Sequence, residues 1–291
     1  MGFLDATAFV YIITKVDQHC MDRVLLSDRK IVIIGGTSGI GLSAATAFVN
    51  AGASVVVVGK DSESTAAAEK KLGERAVTIT GDAVMPETAA QAIDISVEKF
   101  GGFDGLYHVA GGSGRKMGDG PLHELTLEGW NHTLGLNLTS LMLSNQAAVK
   151  HFLTHKQEGT ILNMGSVLGY APSPKYFSTH AYAAAKSAVI GFSKSIASYY
   201  AANNIRVNVI APGLIETPAS QRAAGDKAIM GFIHAKQALD GGRIGRPEDL
   251  DALAVYFMSS ASRFTTGQVV AVDGGWSVSE GQPGERDDQI Q

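Results

Sequence analysis

A tyrosine and a lysine spaced four residues apart form the pair in this sequence best suited to proton transfer. Tyr182 and Lys186 lie in an alanine-rich stretch, residues 181–188, that favours a helix, so this spacing puts both side chains on one helix face. A free tyrosine has a pKa of about 10, and a neighbouring ammonium group lowers that pKa by favouring the phenolate. The pair therefore indicates acid–base chemistry, but a packed tyrosine beside a solvated lysine would show the same spacing.

A serine at the end of an apolar run is a second candidate. Ser166 follows residues 160–165, which predict a buried strand, so its hydroxyl group should lie at the carboxyl end of that strand. A hydroxyl group there can donate a hydrogen bond to a substrate oxygen as negative charge develops on it. It can equally cap the backbone groups of a turn.

An asparagine inside an apolar helical pattern is a third candidate. Asn137 lies in residues 134–138, and a buried amide must find hydrogen-bond partners. Its position alone leaves two roles open. The amide satisfies structural hydrogen bonds, or it holds water beside Lys186.

A glycine-rich turn indicates where these groups would meet an anionic ligand. Residues 31–34 are apolar and mostly β-branched, which predicts a buried strand, and residues 42–52 continue with a helical pattern. Gly35, Gly39 and Gly41 lie between them, where the missing Cβ lets the backbone turn sharply and approach a ligand. The N–H groups of the new helix would then face a pyrophosphate, although an ordinary strand-to-helix turn has a similar sequence.

The alternation of strand and helix patterns predicts the fold class. Strands are predicted near residues 30–35, 54–58, 76–80, 104–109, 159–164, 205–210 and 268–272, and helices near 40–51, 62–72, 86–99, 125–155, 180–202 and 247–260. Consecutive βαβ units of this kind build an α/β domain with a parallel sheet, here of seven strands, covered by helices on both faces. Ligands bind such a sheet beyond the carboxyl ends of its strands, where the glycine turn and Ser166 are expected.

Composition narrows the class of protein. The chain has 291 residues, 45% of them hydrophobic, which is enough for one large α/β core. Its formal net charge of -4 argues against a protein that binds nucleic acid through electrostatic attraction. Cys20 is the only cysteine, which excludes an internal disulfide framework and a thiolate-rich metal site and favours a reducing cytoplasm.

Four segments are expected along the chain. Residues 1–28 form an N-terminal extension, whose apolar part is interrupted by Asp5 and is too short to span a membrane. Residues 29–278 form the main domain, and within it the long connection 219–242 predicts a lid over a substrate, with a simple surface excursion as the alternative. Residues 279–291 are polar and predict a disordered tail.

The combined pattern over residues 29–278 resembles the classical short-chain dehydrogenase/reductase family. The glycine turn matches the TGxxxGxG motif of that family, with Ile34 where threonine is usual. The catalytic tetrad of the family is matched, in order, by Asn137, Ser166, Tyr182 and Lys186. Further matches are Asp82 after the third strand, Pro212, Gly213 and Thr217 after the sixth, and Asp273, Gly274 and Gly275 near the end.

This resemblance implies a single-domain Rossmann-type α/β/α sandwich that binds a nicotinamide dinucleotide. The activity it implies is reversible hydride transfer between the nicotinamide and a carbonyl group or secondary alcohol. Tyr182 would exchange the proton with the substrate oxygen, Lys186 would lower the tyrosine pKa and hold the nicotinamide ribose, and Ser166 would hydrogen-bond the reacting oxygen. Asn137 would anchor water in a proton path. The implied cofactor-binding residues are Gly35, Thr37, Ser38, Gly39, Ile40, Gly41, Lys60, Asp82, Ala83, Ala110, Gly111, Tyr182, Lys186, Pro212, Gly213, Ile215 and Thr217.

Two segments depart from the family pattern. The fourth strand has His108, Val109, Ala110 and Gly111 where NNAG is usual, and we expect His108 to be a satisfied buried histidine rather than a replacement for a backbone-stabilising asparagine. The connection from serine to tyrosine, residues 167–181, is extended, and its aromatic residues could shape a substrate pocket. Nothing supports a metal or nucleophile role for His180, and no metal is expected.

The end of the second strand bears on the choice of cofactor. An acidic residue there binds the ribose hydroxyl groups of NAD, whereas a basic residue accommodates the phosphate of NADP. By resemblance Gly59 takes the acidic position and Lys60 the basic one, which favours NADP(H), while Asp61 and Ser38 keep NAD(H) open.

The leading functional hypothesis is an NADPH-dependent ketone or 3-oxoacyl reductase that acts on a small molecule. The alternatives are an NAD-dependent secondary-alcohol or sugar dehydrogenase and a non-catalytic dinucleotide-binding regulatory protein. An acyl-carrier-protein substrate would need basic residues at the pocket mouth, for which the candidates are Arg222, Lys227, Lys236 and Arg243. The resemblance further implies a homo-oligomer, a tetramer or a dimer. The composition predicts a cytoplasmic protein without a nucleic-acid or membrane partner.

Overall fold

One parallel sheet organises the part of the chain that the computed structural model describes, residues 25–280. Its seven strands lie in the order β3-β2-β1-β4-β5-β6-β7. They are β1 (Lys30–Ile34), β2 (Ser54–Gly59), β3 (Ala76–Thr80), β4 (Gly105–His108), β5 (Gly159–Met164), β6 (Ile205–Pro212) and β7 (Val269–Val272). The predicted seven-stranded parallel sheet is confirmed, with strand boundaries that differ by at most two residues.

Helices cover both faces of this sheet. They are α1 (Gly39–Asn50), α2 (Ser62–Leu72), α3 (Pro86–Phe100), α4 (Leu127–Leu134), α5 (Ser140–Thr154), α6 (His180–Tyr200), α7 (Gln221–Ala224), α8 (Lys227–Lys236) and α9 (Asp251–Met258). Side chains of β1 alternate between two cores: Ile31 and Ile33 face α1 and α9, whereas Val32 and Ile34 face α3 and α5. This two-sided burial explains why β1 is an uninterrupted apolar run.

The sheet reverses its strand order at β1. The chain builds outward from β1 through β2 to β3, and then crosses back to place β4 on the other side of β1. A crevice for ligands opens beyond the carboxyl ends of the strands at such a reversal. The glycine turn that follows β1 lies at this point.

The prediction of one continuous helix over residues 125–155 is wrong. In the structure α4 and α5 are separated by a π-helical turn, Gly135–Thr139, with Asn137 at its centre. Asn137 Nδ2 donates to the carbonyl oxygen of Thr133, one turn earlier, at 2.9 Å, and a wider turn accommodates this inserted side-chain hydrogen bond. Single π-helical turns of this kind recur at functional sites.

The connection 219–242 is largely helical. It contains α7, α8 and a 3-10 turn, Leu239–Gly242. Ile229 and Ile233 of α8 are buried in one hydrophobic cluster with Val167 and Trp276, which lie outside the segment. It is therefore attached to the domain by packing rather than by its two ends alone.

The predicted terminal segments fall mostly outside the described residues. Residues 1–24 and 281–291 lie beyond them, and with them most of the N-terminal extension and of the polar tail. Leu26, which the sequence analysis put in the extension, is buried in the core, and its N–H donates to the Ala51 carbonyl oxygen at 2.9 Å. Within residues 25–280, no helix has the length and apolar character needed to cross a membrane.

Candidate active site

A cavity of about 520 Å³ lies beyond the carboxyl ends of β1, β4, β5 and β6. Three of the four predicted catalytic residues line it, namely Ser166, Tyr182 and Lys186. The predicted cofactor residues that also line it are Ile40, Gly111, Pro212, Gly213, Ile215 and Thr217. The topology of the sheet thus brings together residues that are far apart in sequence.

Tyr182 and Lys186 occupy the first two turns of α6, on one face of the helix. The Lys186 Nζ lies 5.6 Å from the centroid of the Tyr182 ring and donates to the carbonyl oxygen of Met164 at 2.9 Å. Lys186 is only 2% exposed, and this burial lowers its pKa to about 8. The lysine therefore joins α6 to the end of β5 and brings a charge to the floor of the cavity.

The pKa of Tyr182 is shifted in the direction opposite to the one expected from the sequence. Burial raises the pKa of the Tyr182 phenol, and a hydrogen bond with the Ser166 side chain acts in the opposite direction without reversing the shift. The ammonium group of Lys186 donates to the Met164 carbonyl oxygen. At neutral pH the phenol is consequently protonated, the form that donates a proton to a carbonyl oxygen.

Ser166 takes the capping role, one of the two roles that the sequence left open. Its backbone is extended and continues β5, and its Oγ accepts a hydrogen bond from the Leu168 N–H at 3.2 Å, which caps the turn Val167–Gly169. The same side chain also lies near the Tyr182 phenol, where it acts to lower the pKa of that group. The cap fixes the hydroxyl group beside the phenol, where both groups reach the same space in the cavity.

Asn137 lies behind the cavity wall rather than in it. It is fully buried, its Nδ2 donates to the carbonyl oxygens of Gly112 and Thr133 at 2.8 and 2.9 Å, and its Oδ1 accepts from the Gly112 N–H at 3.0 Å. A Cβ on Gly111 would lie 2.7 Å from Asn137 Oδ1 and 3.4 Å from Lys186 Nζ. Asn137 therefore holds the backbone of residues 111–112, after β4, close to Lys186. This close approach requires glycine at position 111.

His108 is a structural histidine, as expected. It is fully buried, with Ser144 Oγ 2.7 Å from its Nδ1 and Ser140 Oγ 3.3 Å from its Nε2. Burial and, to a lesser extent, the positive charge of Lys186 lower its pKa to about 3. The histidine is therefore neutral at physiological pH and ties β4 to α5, just beyond the π-helical turn.

The glycine turn has the shape that a pyrophosphate requires. Gly35 has φ of +83°, and a Cβ there would lie 2.6 Å from the Ala110 nitrogen. A Cβ on Gly41 would lie 2.1 Å from the Gly35 carbonyl oxygen, so α1 and the turn touch through backbone alone. Ser38 precedes α1 without a side-chain cap, which leaves the first N–H groups of that 12-residue helix available to an anion.

The end of β2 contains no free carboxylate. A Cβ on Gly59 would lie 2.3 Å from Thr37 Oγ1, so an acidic residue does not fit there. Asp61 instead caps α2 by accepting from the Ser64 N–H at 2.8 Å, and this lowers its pKa. Lys60 forms a 2.8 Å salt bridge with Asp82, whose pKa is lowered mainly by that contact.

These features match a known family of proteins. A family model described as enoyl-(acyl carrier protein) reductase matches residues 35–277. The chain belongs to the classical short-chain dehydrogenase/reductase family. Its fold, glycine turn and tyrosine–lysine pair are those that the resemblance in sequence predicts.

Individual short-chain dehydrogenases agree with this assignment over nearly their whole length. The chain is 32% identical over 254 residues to cis-4-hydroxycyclohexanecarboxylate dehydrogenase of Sinomonas cyclohexanicum, covering 87% of this chain and 98% of the relative. It is 31% identical over 265 residues to 3beta-hydroxysteroid dehydrogenase 2 of Eggerthella lenta, covering 87% and 96%. The crystal structure of a short-chain type dehydrogenase/reductase from Mycobacterium marinum aligns with a TM-score of 0.80 at 28% identity, covering 89% and 99%. This short-chain dehydrogenase is an NAD(P)-dependent oxidoreductase that acts on CH–OH groups.

Sequence reasoning missed a residue that positions the catalytic helix of this dehydrogenase. Asp119 is 3% exposed, and its carboxylate accepts the N–H groups of Ala181 and Tyr182 at 3.0 Å each. The aspartate lies more than 60 residues before α6, in a glycine-rich segment without periodicity. No local sequence pattern therefore predicts its contact with the helix. It satisfies N–H groups of the first turn of α6 that the helix itself cannot.

The predicted basic residues do not all surround the cavity. Arg222 lines it, together with Arg115 and Lys116, which the sequence analysis did not single out. Lys236 instead donates to the backbone carbonyl oxygen of Ser279, and Arg243 pairs with Asp240 and Asp249 at 2.5 and 2.7 Å. Lys227 is absent from the cavity lining.

Proposed function

We propose that this enzyme interconverts a ring-bearing ketone and the corresponding secondary alcohol, with NADP(H) as its preferred cofactor. The observation that supports this most directly is the meeting of Ser166, Tyr182 and Lys186 in one cavity beside the glycine turn. The two relatives described above are named for a hydroxycyclohexane and a hydroxysteroid, both ring-bearing secondary alcohols. The bound cofactor would supply or accept the hydride.

The proton would pass through Tyr182. In the reductive direction its protonated phenol donates to the carbonyl oxygen, and Ser166 stabilises the charge that develops on the same oxygen. Lys186, which is buried beside Gly111, holds the nicotinamide ribose and keeps a positive charge near the phenol. Asn137 fixes the Gly111–Gly112 backbone against that lysine.

The preference for NADP rests on which charges surround the end of β2. NAD-binding members use a carboxylate that a ribose hydroxyl group reaches, and here Gly59 excludes that side chain while Asp61 is engaged by α2. Lys60 is mostly exposed, and Ser64 lies beside Thr37 with their hydroxyl groups 3.1 Å apart. Lys60, which would exchange its salt bridge with Asp82 for a phosphate, and these two hydroxyl groups suit a ribose phosphate better than a ribose diol.

The segment 219–242 would cover the bound substrate. Ser220, Arg222 and Ala223 line the cavity, and Gln237 after α8 accepts from the Leu214 N–H at 2.6 Å. This hydrogen bond and the packing of α8 hold the cover in place, while α7 faces the ligand. The apolar wall beneath this segment contains Phe177, and the centroids of the Phe177 and Trp276 rings are 5.6 Å apart.

A spectrophotometric assay tests the proposal. NADPH and NADH are each supplied with cyclic ketones, linear ketones and a 3-oxoacyl thioester, and the reverse reaction is measured with the corresponding alcohols. We expect the highest kcat/KM with NADPH and a cyclic ketone. Faster turnover with NADH and a sugar or linear alcohol would favour the NAD-dependent alternative. Binding of NADPH without turnover of any substrate would favour a regulatory protein.

A further inference from the structure

Two arginines that line the cavity form no salt bridge in the described part of the chain. Arg115 lies in the turn Arg115–Met117 after β4, and Arg222 lies on α7. Neither side chain forms a salt bridge or hydrogen bond with residues 25–280, whereas Arg243 on the same covering segment pairs with two carboxylates. Lys116 adds a third positive charge to the lining.

Arg115 and Arg222 line the same cavity, so each guanidinium group lies in the field of the other. Burial and, after it, the charge of Arg222 lower the pKa of Arg115, while Asp119 opposes both effects. Asp119 forms no salt bridge with Arg115 in the described residues, and its two oxygens accept the N–H groups at the start of α6. The cavity thus keeps two like charges together, an arrangement that an anion between them would relieve.

Packing holds Arg115 in this position. A Cβ on Gly114 would lie 1.7 Å from Thr133 Oγ1, so the backbone before Arg115 presses directly on α4. The Met117 and Asp119 N–H groups both donate to the Gly114 carbonyl oxygen, at 2.8 and 3.1 Å. The backbone of the turn is therefore held in place, and no loop ordering is required when a ligand binds to the arginine.

The opposite wall of the cavity is apolar. Its side chains include Val167, Phe177, Leu214 and Trp276. A ligand that fills both halves has an apolar body on this wall and an anionic group on the arginines, with the reacting carbon beside Tyr182. Since the cavity of about 520 Å³ must also admit the nicotinamide, that body is compact.

We propose that Arg115 and Arg222 bind the carboxylate of the substrate, so that the enzyme acts on a compact cyclic ketone or alcohol that carries a carboxylic acid. This inference rests on the proposed function and narrows its substrate. Arginine suits the role because its planar fork matches the two oxygens of a carboxylate. The name of the Sinomonas cyclohexanicum relative contains such a compound, a hydroxycyclohexanecarboxylate.

Equilibrium binding tests the inference without turnover. Calorimetric titrations of the protein saturated with NADP+ compare cyclohexanecarboxylate with the neutral cyclohexanecarboxamide. In the wild type we expect the carboxylate to bind at least about 10-fold more tightly than the carboxamide. In the double variant R115Q/R222Q the two affinities should differ by less than about 2-fold. The double variant R115K/R222K, which keeps both charges, should retain part of the preference.

Arg263→Gln is the matched control. Arg263 is exposed and lines a separate cavity with Arg29 and Asp104, at the amino ends of the strands, so its loss should leave the preference for the carboxylate intact. Equal binding of the two ligands by the wild type would overturn the inference. So would a preference that R115Q/R222Q retains, or a loss in that variant of affinity for NADPH alone, which would assign the arginines to a cofactor phosphate.

A kinetic comparison separates this inference from the proposed function. The kcat/KM for 4-oxocyclohexanecarboxylate is divided by that for 4-methylcyclohexanone in the wild type and in R115Q/R222Q. A ratio that falls at least about 10-fold in the variant supports the inference. If both ketones are converted to alcohols and the ratio is the same in the variant, the carboxylate site is overturned and the proposed function stands. Absence of turnover with every ketone and alcohol, together with an intact binding preference, overturns the proposed function and leaves the carboxylate site supported.

Discussion

The carboxylate of Asp119 accepts a hydrogen bond from the backbone N–H of Tyr182 at 3.0 Å. It thereby joins the loop that carries Arg115 to the helix that carries the acid–base tyrosine. A substrate bound by Arg115 and protonated by Tyr182 would be positioned through this buried carboxylate, which also accepts the Ala181 N–H. The relationship links the binding end of the cavity to its reactive end.

Replacement of Asp119 should therefore affect both stability and turnover. Asp119→Ala leaves two N–H groups at the start of α6 without partners, and we expect the free energy of unfolding in urea to fall by roughly 1–3 kcal/mol. The kcat should also fall because the phenol is no longer held in place. Ser259→Ala, which removes a cap on the Ala261 N–H at the far end of the sheet, is the control and should lower stability without lowering kcat. Loss of stability without loss of kcat in Asp119→Ala would show that this contact does not position Tyr182.

Removal of the Tyr182 hydroxyl group should abolish proton transfer. We expect Tyr182→Phe to lower kcat by about 10²–10⁴-fold, because that is the usual contribution of a positioned acid or base. The affinity for NADPH, measured by fluorescence titration, should change little. Near-normal turnover by this variant would contradict the assignment of the acid to Tyr182.

The sequence was sufficient for the features that depend on periodicity or on order along the chain. The buried strands are recognisable as apolar runs. The order of the glycine turn, serine, tyrosine and lysine predicts that these groups share one edge of the sheet. Three other features depend on contacts between distant segments. Asp119 acts on a helix more than 60 residues away, Arg115 and Arg222 meet only in the folded chain, and the Met164 carbonyl oxygen decides where the Lys186 charge is held. The π-helical turn at Asn137 follows from one side-chain hydrogen bond, which leaves no mark on an apolar pattern.

Cofactor preference should depend on Lys60. Lys60→Glu places a carboxylate beside Asp82 and Asp61 at the end of β2, where it repels a phosphate and can accept hydrogen bonds from ribose hydroxyl groups. The ratio of kcat/KM with NADPH to that with NADH should fall at least about 10-fold. Lys70→Glu, in the last turn of α2, makes the same charge change elsewhere and should leave the ratio nearly unchanged. Similar ratios for the two variants would mean that net charge, and not a contact at Lys60, sets the preference.

His108 should make the protein sensitive to acid. Its pKa is lowered from 6.5 to about 3 in the folded protein, so between these values the unfolded chain binds more protons at this site. The stability that neutral His108 contributes is complete above about pH 6.5 and is lost as the pH falls toward 3. His108→Gln cannot titrate, so the wild type should lose about 1.4 kcal/mol per pH unit relative to this variant in that range. Urea unfolding of both proteins from pH 7 to 4.5 measures the difference, and parallel stability curves would show that His108 is not buried as a neutral group.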